Sequence, residues 1–175
     1  LAGGNVTIKD SQITKNESLG ADGGGIFSAG DTSKIGLRGK VAISDTLIAE
    51  NFAEASGGGI VNDGSAHMLL TDVEVLDNIA EDDGGGLFSE GETSLAVLRT
   101  LFSGNETNNE GGGAWTGGGR LTTITDSDFI ANKAGVPEID PLTNAPILTP
   151  NTAGGGGLFT EGGPVTITRS TFADN

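Results

Sequence analysis

GGGIF at 23–27 returns as GGGIV at 57–61, GGGLF at 84–88, GGGAW at 111–115 and GGGLF at 155–159. Three glycines followed by two apolar residues, recurring along one chain, form an internal repeat. Repeats decide a fold before local propensity does. From Gly57 to Gly84 to Gly111 the spacing is 27 residues each time.

An asparagine closes each unit: Asn16, Asn51, Asn78, Asn105, Asn132 and Asn175. Three residues before it stand Ile13, Ile48, Val75, Phe102, Phe129 and Phe172. Eight before it stand Ile8, Ile43, Leu70, Val97, Ile124 and Ile167. Ten before it stand Val6, Val41, Met68, Leu95, Thr122 and Val165, with Leu121 beside the one polar exception. Within a unit, apolar and polar residues alternate, as in VTI at 165–167 and LTTIT at 121–125. Period two means strand, and the runs are short and bounded by Gly, Asn, Asp and Ser. No stretch of helical periodicity interrupts them.

A strand, a turn, a second strand and a second turn, repeated every 27 residues, predict one coil of a solenoid. A single coil cannot bury its own apolar face. Stacking at the interstrand spacing of about 4.8 Å turns the phased apolar residues into a continuous column. The predicted fold is all-β, about six stacked coils in which each strand pairs with its equivalent above and below, forming one solenoid over 1–175. The L-x-x-L-x-L spacing of a leucine-rich repeat is missing.

Two insertions break the period, at 34–40 and 133–153. The first carries Lys34, Arg38 and Lys40; the second carries Pro137, Pro141, Pro146 and Pro150 with Ile139, Leu142, Ile147 and Leu148. Such insertions map to loops, either flaps packed on the coils or binding lids. LAGGNVTIKDSQITKN at 1–16 aligns with TEGGPVTITRSTFADN at 160–175, and neither end carries a polar cap. The chain is therefore expected to be a piece of a longer array, or to stack end to end with copies of itself.

Composition narrows function. Nine Lys and Arg against 24 Asp and Glu, a net charge of −15, argue against nucleic-acid and anionic-membrane partners. The absence of cysteine excludes a disulfide scaffold and thiolate metal sites. Thirty-one glycines without a Gly-X-Y period exclude collagen. No apolar run reaches membrane-spanning length, so this segment is not expected to insert in a bilayer.

FSGN at 102–105, FIAN at 129–132 and FADN at 172–175, paired with GGGI and GGGL, resemble the F-x-x-N and GG[AG][ILV] repeats of polymorphic outer-membrane proteins. They also resemble a wider group of secreted bacterial repeat proteins. ITKN, IAEN and VLDN replace the Phe by Ile or Val, which keeps its core role. The resemblance implies a right-handed parallel β-helix, an extracellular or cell-surface location and an adhesive role. It brings no catalytic residues, and nothing here resembles the membrane-anchoring barrel of that family.

The repeated Asn is expected to be a turn residue. Asn tolerates left-handed backbone, and its amide can bond its equivalent on the next coil. Asn5, Asn16 and Asn105 also open formal glycosylation sequons. The triple glycine is expected to supply positive φ and close coil approach. No Lys-Ser/Thr follows it, so it is not a phosphate loop. After it run two apolar ladders: Ile26, Ile60, Leu87, Ala114 and Leu158, and Phe27, Val61, Phe88, Trp115 and Phe159. Neighbours on a strand face opposite ways. The aliphatic ladder is expected inside, leaving Phe27, Phe88, Trp115 and Phe159 as a surface stripe for sugar rings or a protein partner, unless the Pro-rich loop or a neighbouring chain covers it.

Asp45, Asp72, Arg99, Asp126 and Arg169 share one coil position, where Arg between Asp relieves repulsion. Asp82, Asp83 and Glu110, near Glu81 and Asp22, form a candidate calcium site, with a solvated acidic edge as the simpler reading. His67 is the single histidine, so neither a histidine metal triad nor a Ser-His-Asp set can be assembled. The outward strand positions are mostly small and neutral, poor material for a catalytic groove. The expected function is a structural or adhesive segment of a secreted or cell-surface protein, binding a glycan or protein through the stripe or the loops. A carbohydrate-active β-helix enzyme and a self-assembling extracellular filament subunit are the alternatives.

Overall fold

The computed structural model describes residues 4–30, 39–135 and 154–175. The expected insertions fall outside these residues except at their edges. There, Lys40 opens a strand and Lys133–Ala134 form one, so both belong to the coils.

All regular structure in the described residues is strand, arranged as four parallel sheets wound into a right-handed β-helix. The first sheet pairs Asn5–Lys9, Lys40–Ser44, His67–Thr71, Ser94–Leu98, Thr122–Thr125 and Val165–Thr168 in that order. The second pairs Gln12–Thr14, Leu47–Ala49, Glu74–Leu76, Leu101–Ser103, Asp128–Ile130 and Thr171–Ala173. The third is built from two-residue strands: Glu17–Ser18, Phe52–Ala53, Ile79–Ala80, Glu106–Thr107 and Lys133–Ala134. The fourth pairs Ile26–Ala29, Ile60–Asp63, Leu87–Ser89, Ala114–Gly117 and Leu158–Glu161. A coil thus has four strands where alternation predicts two. The residues after each Asn form strands too short to display a period.

The register reproduces the sequence ladders. Val6 pairs with Val41, Val41 with Met68, Met68 with Leu95, Leu95 with Thr122, and Thr122 with Val165. Ile43, Ile48, Ile60, Leu70, Leu87 and Phe102 are among the fully buried members of the column. Phe102, Phe129 and Phe172 stack face to face, with centroids 4.6 and 4.7 Å apart. In-register parallel pairing places identical rings one strand spacing apart, close to an ideal stacking distance.

The first two corners share one design. A single left-handed residue turns the chain, and the next residue points a polar group inward. At the first corner the left-handed residues are Asp10, Asp45, Asp72, Arg99, Asp126 and Arg169, with φ between 48° and 54°. The charge ladder read from sequence is therefore also the turn itself. The inward residue is Ser11, Thr46, Thr100, Ser127 or Ser170, each donating its hydroxyl to the carbonyl two residues back. Val73 is the apolar member of this column.

At the second corner the left-handed residue is Lys15, Glu50, Asp77, Gly104, Ala131 or Asp174. This corrects the expectation that Asn itself takes that geometry. Asn follows the left-handed residue, and its side chain points inward.

Candidate functional site

Among the described residues the asparagine column is the most complete polar network. The Asn51 backbone N–H and Nδ2 both donate to Asn78 Oδ1, at 3.1 and 2.9 Å. Asn78 Nδ2 then donates to Asn105 Oδ1 at 3.0 Å and to the Ile48 carbonyl at 2.9 Å. The same set recurs from Asn105 to Asn132, and the Nδ2 of Asn132 donates to Asn175 Oδ1 at 2.8 Å. Each interior side chain fills two acceptor and two donor positions, the full capacity of an amide. Asn78, Asn105 and Asn132 have no solvent exposure. A glycan cannot be attached to an amide in that position, which removes the Asn105 sequon. Asn5 and Asn16 are exposed.

This column explains the third glycine of each block. A Cβ on Gly59 would lie 2.6 Å from the Gly86 carbonyl oxygen and 3.1 Å from Asn78 Cγ. On Gly86 it would lie 2.5 Å from the Gly113 oxygen and 3.0 Å from Asn105 Cγ. The second glycine is excluded by carbonyls of the next coil, as at Gly58 beneath the Gly85 oxygen. Positive φ is confined to the first of the three, as at Gly57 (70°) and Gly84 (64°). The expected bend is thus the duty of one glycine, and close approach that of the other two.

The two ladders after the glycines divide as alternation requires. Ile60, Leu87 and Ala114 join the core, with Ile26 and Leu158 packed against it. Phe27, Val61, Phe88, Trp115 and Phe159 lie on the opposite face of the same strands, in register. Their exposure is uneven. Phe27 is 53% exposed, Phe88 and Phe159 are half-buried, and Trp115 is 6% exposed. Trp115 stacks on Phe88 at 4.6 Å and 18°, and on Phe159 at 6.4 Å and 22°. Its indole N–H points to Glu110 Oε2 at 3.4 Å. Stacking along the helix axis closes both faces of Trp115. A sugar ring packs on an aromatic face, so the indole offers no platform. Phe27 pairs with Val61, stacks on no ring and is the most exposed of the four.

The charged ladder is paired where the sequence alternates sign. Arg99 makes a bidentate contact with Asp72, both bonds 2.7 Å, and Arg169 does the same with Asp126 at 2.5 and 2.7 Å. The guanidinium bonds hold the Asp72 and Asp126 carboxyls below the ordinary carboxylate range. Lys133 bonds Glu106, which raises the ammonium. Where Asp follows Asp, at Asp10, Asp45 and Asp72, the corner is a shallow acidic crevice continuing to Glu74.

Of the candidate calcium residues, Asp83 accepts the Glu110 N–H at 3.1 Å. Asp22 likewise accepts the Ser56 N–H at 2.9 Å, so both carboxylates serve as turn acceptors between coils. Burial pushes Asp83 up, the Glu110 N–H opposes this, and the charges of Glu110, Asp82 and Glu161 add to the rise. Among the described residues no three carboxylates or imidazoles are gathered so as to hold a metal ion. His67 stands on the outer side of the first sheet, between Lys40 and Ser94 in register, with Nδ1 2.5 Å from Ser94 Oγ.

Two features escaped the sequence reading. The Ser/Thr column was legible five residues before every Asn but Asn78, where Val73 stands. The outward column of the third sheet, Glu17, Phe52, Ile79, Glu106 and Lys133, was hidden because two-residue strands carry no alternation.

No protein-family model, no curated protein and no solved structure matches this chain. What the architecture defines is the class, an all-strand parallel β-helix, and the likeness to polymorphic outer-membrane repeats rests on the quoted motifs.

Proposed function

We propose that this chain is a structural and adhesive segment of a secreted or cell-surface protein, of the kind built from polymorphic outer-membrane repeats. It acts as a stiff rod that holds contact residues at fixed spacing. The observation that carries this reading is the buried asparagine column. An amide ladder that is fully bonded at its interior members locks register along the axis and lends itself to rigidity. The outward positions of the first sheet, such as Ala42, Leu69, Ala96 and Thr123, are small or apolar and suit contact better than acid–base chemistry. Phe27 is the residue best placed to touch a glycan or protein, because it is the most exposed of the four aromatic residues.

Adhesion and catalysis separate in one experiment. The purified chain is incubated with immobilised pectin, alginate and whole cell surfaces, and retention and new reducing ends are both measured. Retention that falls about fivefold in Phe27→Ala, with no new reducing ends, is expected. Release of unsaturated or reducing products would replace the reading with a carbohydrate-active enzyme.

A further inference from the structure

We infer that the outer side of the third sheet is a docking stripe for a basic polypeptide segment that also carries apolar side chains. Phe52 and Ile79 are paired in register on successive coils, both pointing outward. Leu19 follows the strand of the preceding coil, whose Glu17 pairs with Phe52. Ile79 is 44% exposed and Leu19 is 70% exposed, while Phe52 is half-buried. Alternation does not require apolar residues here, since Glu17, Glu106 and Lys133 occupy the same outward column. The inward residues of these strands are small, Ala53 and Ala80, so the strands are held without help from Phe52 or Ile79. The stripe runs about 10 Å along the axis, the span of three coils.

Charge identifies the occupant. Glu50, Glu54, Asp77 and Glu81 flank Phe52 and Ile79, and all four are exposed. From Val41 to Leu98 the chain has neither Lys nor Arg. Among the described residues, Lys15, on the coil before Phe52, contacts Glu50 at 3.5 Å, and Lys133, two coils beyond Ile79, bonds Glu106. An apolar strip in an acidic frame repels a second copy of this chain, whose net charge is −15. It complements a segment that sets two or three apolar side chains on Leu19, Phe52 and Ile79 and directs Lys or Arg at Glu54, Asp77 and Glu81. Steering by the acidic frame and burial by the strip then act together.

The test is titration of the chain with two probes of equal charge, a short peptide of alternating lysine and leucine and an oligolysine without leucine. The mixed peptide is expected to bind about tenfold more tightly, to weaken as salt rises, and to lose about tenfold in the double variant Phe52→Ser/Ile79→Ser. Glu54→Gln/Glu81→Gln, which leaves the strip intact, is expected to slow association and flatten the salt dependence. Circular dichroism confirms that each variant keeps its strands. Equal binding of the two probes, full binding by Phe52→Ser/Ile79→Ser, or no binding at low salt each overturns the inference. Loss in Phe27→Ser instead assigns the peptide to the fourth sheet and overturns it while sparing the adhesive reading.

Discussion

Replacing Asn78 with alanine removes four hydrogen bonds at once: two accepted from Asn51 and two donated, to Ile48 and Asn105. The Asn78 backbone N–H keeps its bond to Asn105 Oδ1. Two donors, the Asn51 N–H and one hydrogen of its Nδ2, are left buried without partners. An orphaned buried donor costs about 1–3 kcal/mol, so the pair costs about 4 kcal/mol. Domains of this kind are stable by about 5–15 kcal/mol, so the loss is a large share of the total.

Asn16→Ala is the matched control. Asn16 holds the same place in the column, but it is exposed and its Nδ2 donates only to Asn51 Oδ1 and the Thr14 carbonyl. Its loss is expected to stay within about 1 kcal/mol. Asn78→Asp is expected to be worse than alanine at neutral pH, because a carboxylate there faces the Ile48 carbonyl and Asn105 Oδ1 with no donor of its own. The assay is urea unfolding, followed by far-UV circular dichroism and by the fluorescence of Trp115, whose coincidence checks that the coils unfold together. A loss below about 1 kcal/mol for Asn78→Ala, or an aspartate no worse than alanine, would refute the view that the amide column holds the coils in register.

Three further outcomes follow from the same geometry. Gly86→Ala should destabilise severely, by about 3 kcal/mol or more, because its Cβ meets backbone of the next coil; Gly162→Ala, with φ 72° and nothing within 4 Å, should cost only about 1 kcal/mol of backbone strain, and chemical denaturation of both variants measures the contrast. Asp83→Asn keeps the acceptor for the Glu110 N–H while removing a raised carboxyl, so its melting temperature should exceed that of the parent at pH 7. A carboxyl raised in the folded state costs stability above its folded value and none below its unfolded one, so the difference should vanish on acidification. Asp72 and Asp126 have the opposite sign. Their folded values lie below the unfolded ones, so the contribution of their Arg pairs is present above the ordinary carboxylate range and is lost as pH falls through the depressed values, and Asp72→Asn should flatten the acid limb of a pH–melting curve.

Much of the fold was legible because parallel in-register stacking writes itself into sequence as a fixed phase. Residues three, eight and ten before each Asn are apolar but for Thr122, because coils must bury one another, and the register confirms each ladder. The number of strands per coil was not legible. Glu17–Ser18 and Phe52–Ala53 are too short to show a period, and the GGG segments bond coil to coil through backbone alone, as from Gly24 N to the Gly57 carbonyl at 3.2 Å. The left-handed position was displaced by one residue for a physical reason. Asn is favoured in that conformation locally, but its amide is needed inside, and Asp, Glu, Lys, Ala or Gly takes the turn before it.

The candidate faces divide along the same line. Period two was enough to set Ile60, Leu87 and Ala114 against Val61, Phe88 and Trp115, because adjacent strand residues cannot share a side. Which outward residues remain open was decided by stacking in three dimensions. In-register pairing closes the faces of Trp115 between Phe88 and Phe159 and leaves Phe27 exposed against Val61. The same pairing brings Phe52 and Ile79, 27 residues apart, to one strand spacing inside an acidic frame. Phase along the chain is a one-dimensional property, so sequence alone determined the solenoid, its glycine corners and its asparagine ladder. Exposure depends on what the neighbouring coil supplies, and only the tertiary structure decided it.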